Sequence, residues 1–136
     1  MSYEYYLQAH LKEEAQQIPT ARILSIFEDF VTGRGENYIR VEFEEGNSCD
    51  IFIDPNEPFE SGFMISRPCY SKQLGRCIYQ VMLLGNFVFY EPDGKGAIIV
   101  NPATEYHLPA DMIEALGKPV LAETEDDFLE LYFNNR

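Results

Sequence analysis

Positive charge is scarce in this chain. Against 23 Asp and Glu stand 10 Lys and Arg, a net charge of −13, and the cations are not clustered. Repulsion from phosphates therefore argues against DNA or RNA as a partner, and anionic membrane surfaces are disfavoured for the same reason. Histidine is rarer still: there are two, His10 and His107, and three cysteines with no Cys-x-x-Cys pair. Structural zinc asks for four Cys or His ligands at short regular spacings, which Cys49, Cys69, Cys77, His10 and His107 do not supply. No apolar run approaches the ~18 residues of a membrane span. Residues 1–6 lack the basic start and apolar centre of a signal peptide. An odd cysteine count without paired spacing reads as reduced thiols in a soluble, cytoplasmic chain, with Cys77 a small core residue.

Catalytic signatures are missing too. No Gly-x-Ser-x-Gly turn is present. Asp50, Asp54 and Glu57 do not form the twelve-residue calcium-loop pattern. Asp93-Gly94-Lys95-Gly96 has the composition of a phosphate cradle, but it lies between two β-like runs, where Asp-Gly is the hairpin dipeptide. No motif for a cofactor or metal remains.

What is present is enough for a core. The chain has 136 residues, 46% hydrophobic and 14% aromatic, a single-domain length that needs no metal or disulfide staples. Tyr3, Leu7, Leu11 and Ile18 fall on one stripe, which predicts a helix over 3–17 ended by Pro19, with His10 a structural imidazole beside the stripe. Ile23, Ile26, Phe27, Phe30 and Val31 predict a second helix over 20–32, with Thr20 as cap, and Gly33-Arg34-Gly35 a turn. The period then becomes two. Ile39, Val41 and Phe43 alternate with Tyr38, Arg40, Glu42 and Glu44, and a Gly46-Asn47 turn leads to a return strand over 49–54.

Phe63-Met64-Ile65 is a short apolar run broken by Arg67-Pro68. Ser71 caps a helix over 71–84 whose stripe is Leu74, Cys77, Ile78, Val81 and Leu84, closed by Gly85. Lys72 and Arg76 sit in its first turns against the helix dipole, and pairing with carboxylates of the acidic hairpin would offset that cost. Residues 86–91 and 97–101 form a second hairpin. A short helix after Pro109, through Met112, Ile113 and Leu116, and a strand over 118–122 complete one parallel crossover unit. Thr124-Glu125-Asp126-Asp127 opens a last helix with Phe128, Leu131 and Tyr132 inward. The expected architecture is one α+β domain: a mostly antiparallel sheet of five or six strands with helices packed on one face.

Between 42 and 60 there are seven acids and no Lys or Arg. If the hairpin keeps its alternation, Tyr38, Arg40, Glu42, Glu44, Asp50, Phe52 and Asp54 share a sheet face. Aromatics there would anchor a basic protein partner, with the acids guiding the encounter. The leading expectation is a non-enzymatic acidic protein-binding domain, such as a small inhibitor or immunity protein that neutralises a basic toxin enzyme. The alternative is a small-molecule-binding or hydrolytic enzyme domain with a cleft at Arg67, Cys69 and His107, Cys69 lying before a helix N-terminus that would lower its pKa. Self-association is the third option.

Overall fold

The computed structural model describes residues 4–69, 71–92 and 96–134. In chain order the elements are β1 (Glu4–Leu11), β2 (Glu14–Ala15), β3 (Ile18–Pro19), α1 (Thr20–Phe27), β4 (Val31–Arg34), β5 (Ile39–Glu42), β6 (Ser48–Phe52), β7 (Phe59–Glu60) and β8 (Gly62–Ser66). They continue with α2 (Lys72–Met82), β9 (Phe87–Tyr90), β10 (Ile98–Ile99), α3 (Ala110–Leu116), β11 (Val120–Leu121) and α4 (Glu125–Asn134). The fold is α+β. Its main sheet runs β11-β10-β9-β1-β8-β6-β5-β4, with β2 added to the end of β1, nine strands among the described residues rather than five or six. Every pairing is antiparallel except β10 with β11.

The largest departure from the sequence expectation is at 4–15, which form β1 and β2 rather than a helix. Tyr5, Leu7 and Ala9 are buried and alternate with half-buried Tyr6, Gln8 and His10. The helical stripe and this period-two pattern share Leu7, so local spacing does not separate them. Long-range pairing does: β1 is held on one side by β8 and on the other by β9. The turn to β2 has positive φ at Lys12 and Glu13. Its amides are bound by one residue, with Lys12 N–H donating to His107 Nδ1 at 3.0 Å and Glu13 N–H to His107 O at 2.9 Å.

The second helix is shorter than expected. After Phe27 the chain tightens to a 3-10 turn, Glu28–Phe30, and becomes β4 where a turn was anticipated. Thr20 does not cap it: Pro19 holds that position and the buried Thr20 hydroxyl has no hydrogen-bond partner among the described residues. In α2, Ser71 is the cap, its Oγ accepting from Leu74 N–H at 3.3 Å. Arg76 pairs with Glu125 of α4 at 3.1 Å and not with the acidic hairpin, while Gln73 makes the hairpin contact, its Oε1 accepting from Glu44 N–H at 3.0 Å.

The core lies between one sheet face and α1, α2 and α4. Alternation sends Leu7, Phe63, Ile65, Ile51, Ile39, Val41, Phe87 and Phe89 to that face, where they meet Ile23, Phe27, Leu74, Ile78, Phe128 and Tyr132. Tyr5, Phe89, Phe128 and Tyr132 form an aromatic knot with ring centroids 5.1–6.1 Å apart. The expected hairpin of β9 and β10 and the parallel return to β11 are present, its turn at 93–95 lying outside the described residues. Here the structure adds something: α3 sits on the opposite sheet face, where Met112, Ile113 and Leu116 cover Val88, Ala97, Ile99 and Leu108. Cover on that second face therefore gathers at the β9–β11 end.

Candidate protein-binding face

The strand registers place a row of large side chains across the second face. Tyr90 pairs with Tyr6, Tyr6 with Met64, and Met64 with Phe52. Continuing the β5–β6 register brings Tyr38 opposite Phe52, with ring centroids 6.3 Å apart. Tyr6 and Tyr90 are stacked at 5.2 Å. Away from α3 the row is open: Tyr38 is 36% and Phe52 40% exposed. An adjacent row runs Glu4, Ser66, Asp50 and Arg40, where Arg40 grips Asp50 through two contacts, Nε to Oδ1 at 2.8 Å and Nη2 to Oδ2 at 3.2 Å.

Five of the seven residues anticipated for an acidic face are thus together: Tyr38, Arg40, Glu42, Asp50 and Phe52. Glu44 is displaced to the rim, in a 3-10 turn Glu44–Gly46. Asp54 lies past the end of β6, its Oδ1 accepting from Asn56 N–H at 2.9 Å. It faces another acidic group. Glu60 is bonded by the Asp54 backbone N–H, yet burial first, and then the neighbouring charges of Asp54 and Glu57, leave its carboxyl above the usual range.

Sequence reasoning missed the other half of this face, because it depends on β1 being a strand. A recess of about 530 Å³ opens beside the aromatic row. Its lining includes Tyr6, Gln8 and His10 of β1, Ser61 just before β8, Gly62 and Met64 within it, and Phe52 of β6. Gly62 permits the close approach of the two strands here, since a Cβ at that position would lie 2.7 Å from the Leu7 carbonyl oxygen. His10 Nδ1 is buried and has no hydrogen-bond partner among the described residues. Burial holds the His10 pKa below its usual value, partly opposed by Asp111. The signal that could have revealed this half is the alternation Tyr5-Leu7-Ala9 against Tyr6-Gln8-His10.

The residues of the alternative cleft are not brought together. Ser66, just before Arg67, pairs with Glu4 at one end of β1. His107 binds the turn at Lys12 beyond the other end, a span of about 26 Å at a strand's rise per residue. Cys69 is half-buried against the core beside Cys49, a neighbour that lowers its pKa. Its carbonyl accepts from Tyr132 Oη at 3.4 Å and from Ser71 N–H at 2.9 Å. His107 Nδ1 is already engaged by the hairpin turn. A thiol and an imidazole so placed cannot share a proton, so the Cys69–His107 nucleophile arrangement has no geometric basis. No described helix is long and apolar enough to cross a membrane.

Comparison with protein-family models, with curated proteins and with solved structures returns no match.

Proposed function

We propose that this chain is a non-enzymatic, acidic protein-binding domain of the cytoplasm that engages a basic protein through its open sheet face. A small inhibitor or immunity protein that neutralises a basic enzyme, of the kind bacteria use, is the form of this role that fits best. The observation that carries the reading is the open end of the transverse row, where Tyr38 and Phe52 stay 36% and 40% exposed beside Glu42, Asp50 and Glu44. Aromatic side chains with few rotatable bonds anchor interfaces well. Acids at the rim raise the rate of encounter with a cationic partner more than they raise affinity. A net charge of −13 acts in the same direction at longer range.

Retention of cellular proteins on the immobilised chain at low salt tests this. A basic protein should be held by the wild type, released by salt, and lost on the Glu42→Lys/Glu44→Lys double variant and on Phe52→Ala. These positions are exposed, so the fold should survive the changes, as circular dichroism would verify. Retention that is indifferent to both changes contradicts the reading.

A further inference from the structure

We propose that Cys69 and Cys49 are a peroxide-sensitive thiol pair that closes reversibly to an intramolecular disulfide between β6 and the entry of α2. The inference is independent of what the open face binds.

The strand register brings the two cysteines together. β6 and β8 pair with Asp50 opposite Ser66, so one further step sets Cys49 level with Arg67, two residues before Cys69. Cys49 points into the core on the same strand face as Ile51. Cys69 packs against that core from the loop ahead of α2. There the Cys49 thiol donates a hydrogen bond to the Cys69 sulfur. All three cysteines are free, and the third is engaged elsewhere, the Cys77 thiol donating to the Ile26 carbonyl at 3.8 Å.

Surroundings divide the roles between them. Cys69 is half-buried, whereas Cys49 and Cys77 are buried. The Cys69 sulfur accepts from the Cys49 thiol and from its own backbone N–H, which together hold its pKa below the usual thiol value against the effect of burial. Burial pushes Cys77 up to about 12. Thiolate character and access decide which sulfur meets an oxidant, and both fall on Cys69. The bond to Cys69, and then burial, raise the Cys49 pKa, so Cys49 keeps its proton until Cys69 has reacted.

The chemistry consumes one hydroperoxide. The Cys69 thiolate attacks the O–O bond and takes one oxygen as sulfenic acid, while the other leaves as hydroxide. Cys69 is then neutral, which removes the charge that held the Cys49 proton in place. Cys49 attacks the Cys69 sulfur, the S–O bond breaks, and the oxygen departs with the Cys49 proton as water. Two thiols thereby lose two electrons and two protons, and hydrogen peroxide becomes two waters. A dithiol reductant reverses the reaction by exchange. In a reducing compartment such a disulfide is transient and reports oxidation.

Treatment of the reduced full chain with equimolar hydrogen peroxide tests this. Cleavage after Glu57, Glu60, Lys72 and Arg76 puts the three cysteines on separate peptides. Mass spectrometry should show Cys49 linked to Cys69 within one molecule, Cys77 unmodified, and both thiols restored by dithiothreitol. In Cys49→Ala the sulfenic acid should persist on Cys69 and be trapped by dimedone at least about tenfold faster than at Cys77. Cys69→Ser should leave the other two thiols free. A link to Cys77, a link between two copies, or oxidation at Cys77 ahead of Cys69 would each overturn the proposal. So would an unmodified Cys69, or a Cys49–Cys69 bond that forms only in urea. The wild-type map decides the matter by itself if either variant fails to fold.

Discussion

His10 shows how one side chain's surroundings set a property of the whole chain. Burial lowers its pKa from the usual 6.5, with Asp111 pulling the other way. The folded state therefore prefers the neutral ring, and the unfolded chain takes up the proton first as the medium is acidified. The stabilising contribution is complete above the unfolded value and is lost as pH falls through it towards the lowered folded value. His10→Gln should consequently flatten the stability profile between about pH 7 and pH 5. Urea unfolding at each pH reads this directly, and an unaltered profile in the variant would contradict it. His107 is placed by a backbone contact, accepting from the Lys12 amide, and no sequence pattern announces a contact spanning 95 positions.

Among the elements, the pairing of α2 with α4 turns on Gly75. A Cβ there would lie 2.7 Å from Leu129 Cδ2 and 3.4 Å from the Tyr132 ring. A larger side chain must separate the two helices, so Gly75→Leu should cost about 1–3 kcal/mol through overpacking, seen as a lower urea midpoint with near-native circular dichroism. A midpoint within error of wild type would mean that α4 is free to shift. The α2 helix was legible from sequence because its signals are local, a serine cap and an uninterrupted stripe, although it ends at Met82 with Leu83 as cap rather than at Gly85, which does not adopt positive φ. The β5–β6 hairpin was legible for the same reason, through alternation about a Gly46-Asn47 turn. The β1 strand was not. Its residues fit two periods, and the choice between them is made by β8 and β9, which lie more than fifty positions away. The candidate face divides along this line. Tyr38, Arg40, Glu42, Asp50 and Phe52 could be read from local alternation, whereas Tyr6, Met64, Tyr90 and the recess emerge only once registers between distant strands are known.

For the molecule as a whole, negative charge is far from balanced. With 23 acids against 10 cations, and the ion pairs Arg40–Asp50 and Arg76–Glu125 formed by half-exposed groups, self-repulsion works against the compact state. Screening shortens its range from about 30 Å at 0.01 M salt to about 3 Å at 1 M. The melting temperature should therefore rise with sodium chloride, by a few degrees between those limits. A fall would mean that the surface ion pairs outweigh the repulsion.

The place of β1 in the sheet has a consequence for how the chain acquires its structure in time. The strand at 4–11 lies between partners at 62–66 and 87–90. During synthesis it leaves the ribosome before either partner and stays unpaired on at least one edge until about eighty further residues have followed. Two long loops must close before the central ladder is complete, which places folding towards the slow, millisecond-to-second end for small domains. Over that interval the exposed alternating segment is open to pairing with a neighbouring copy.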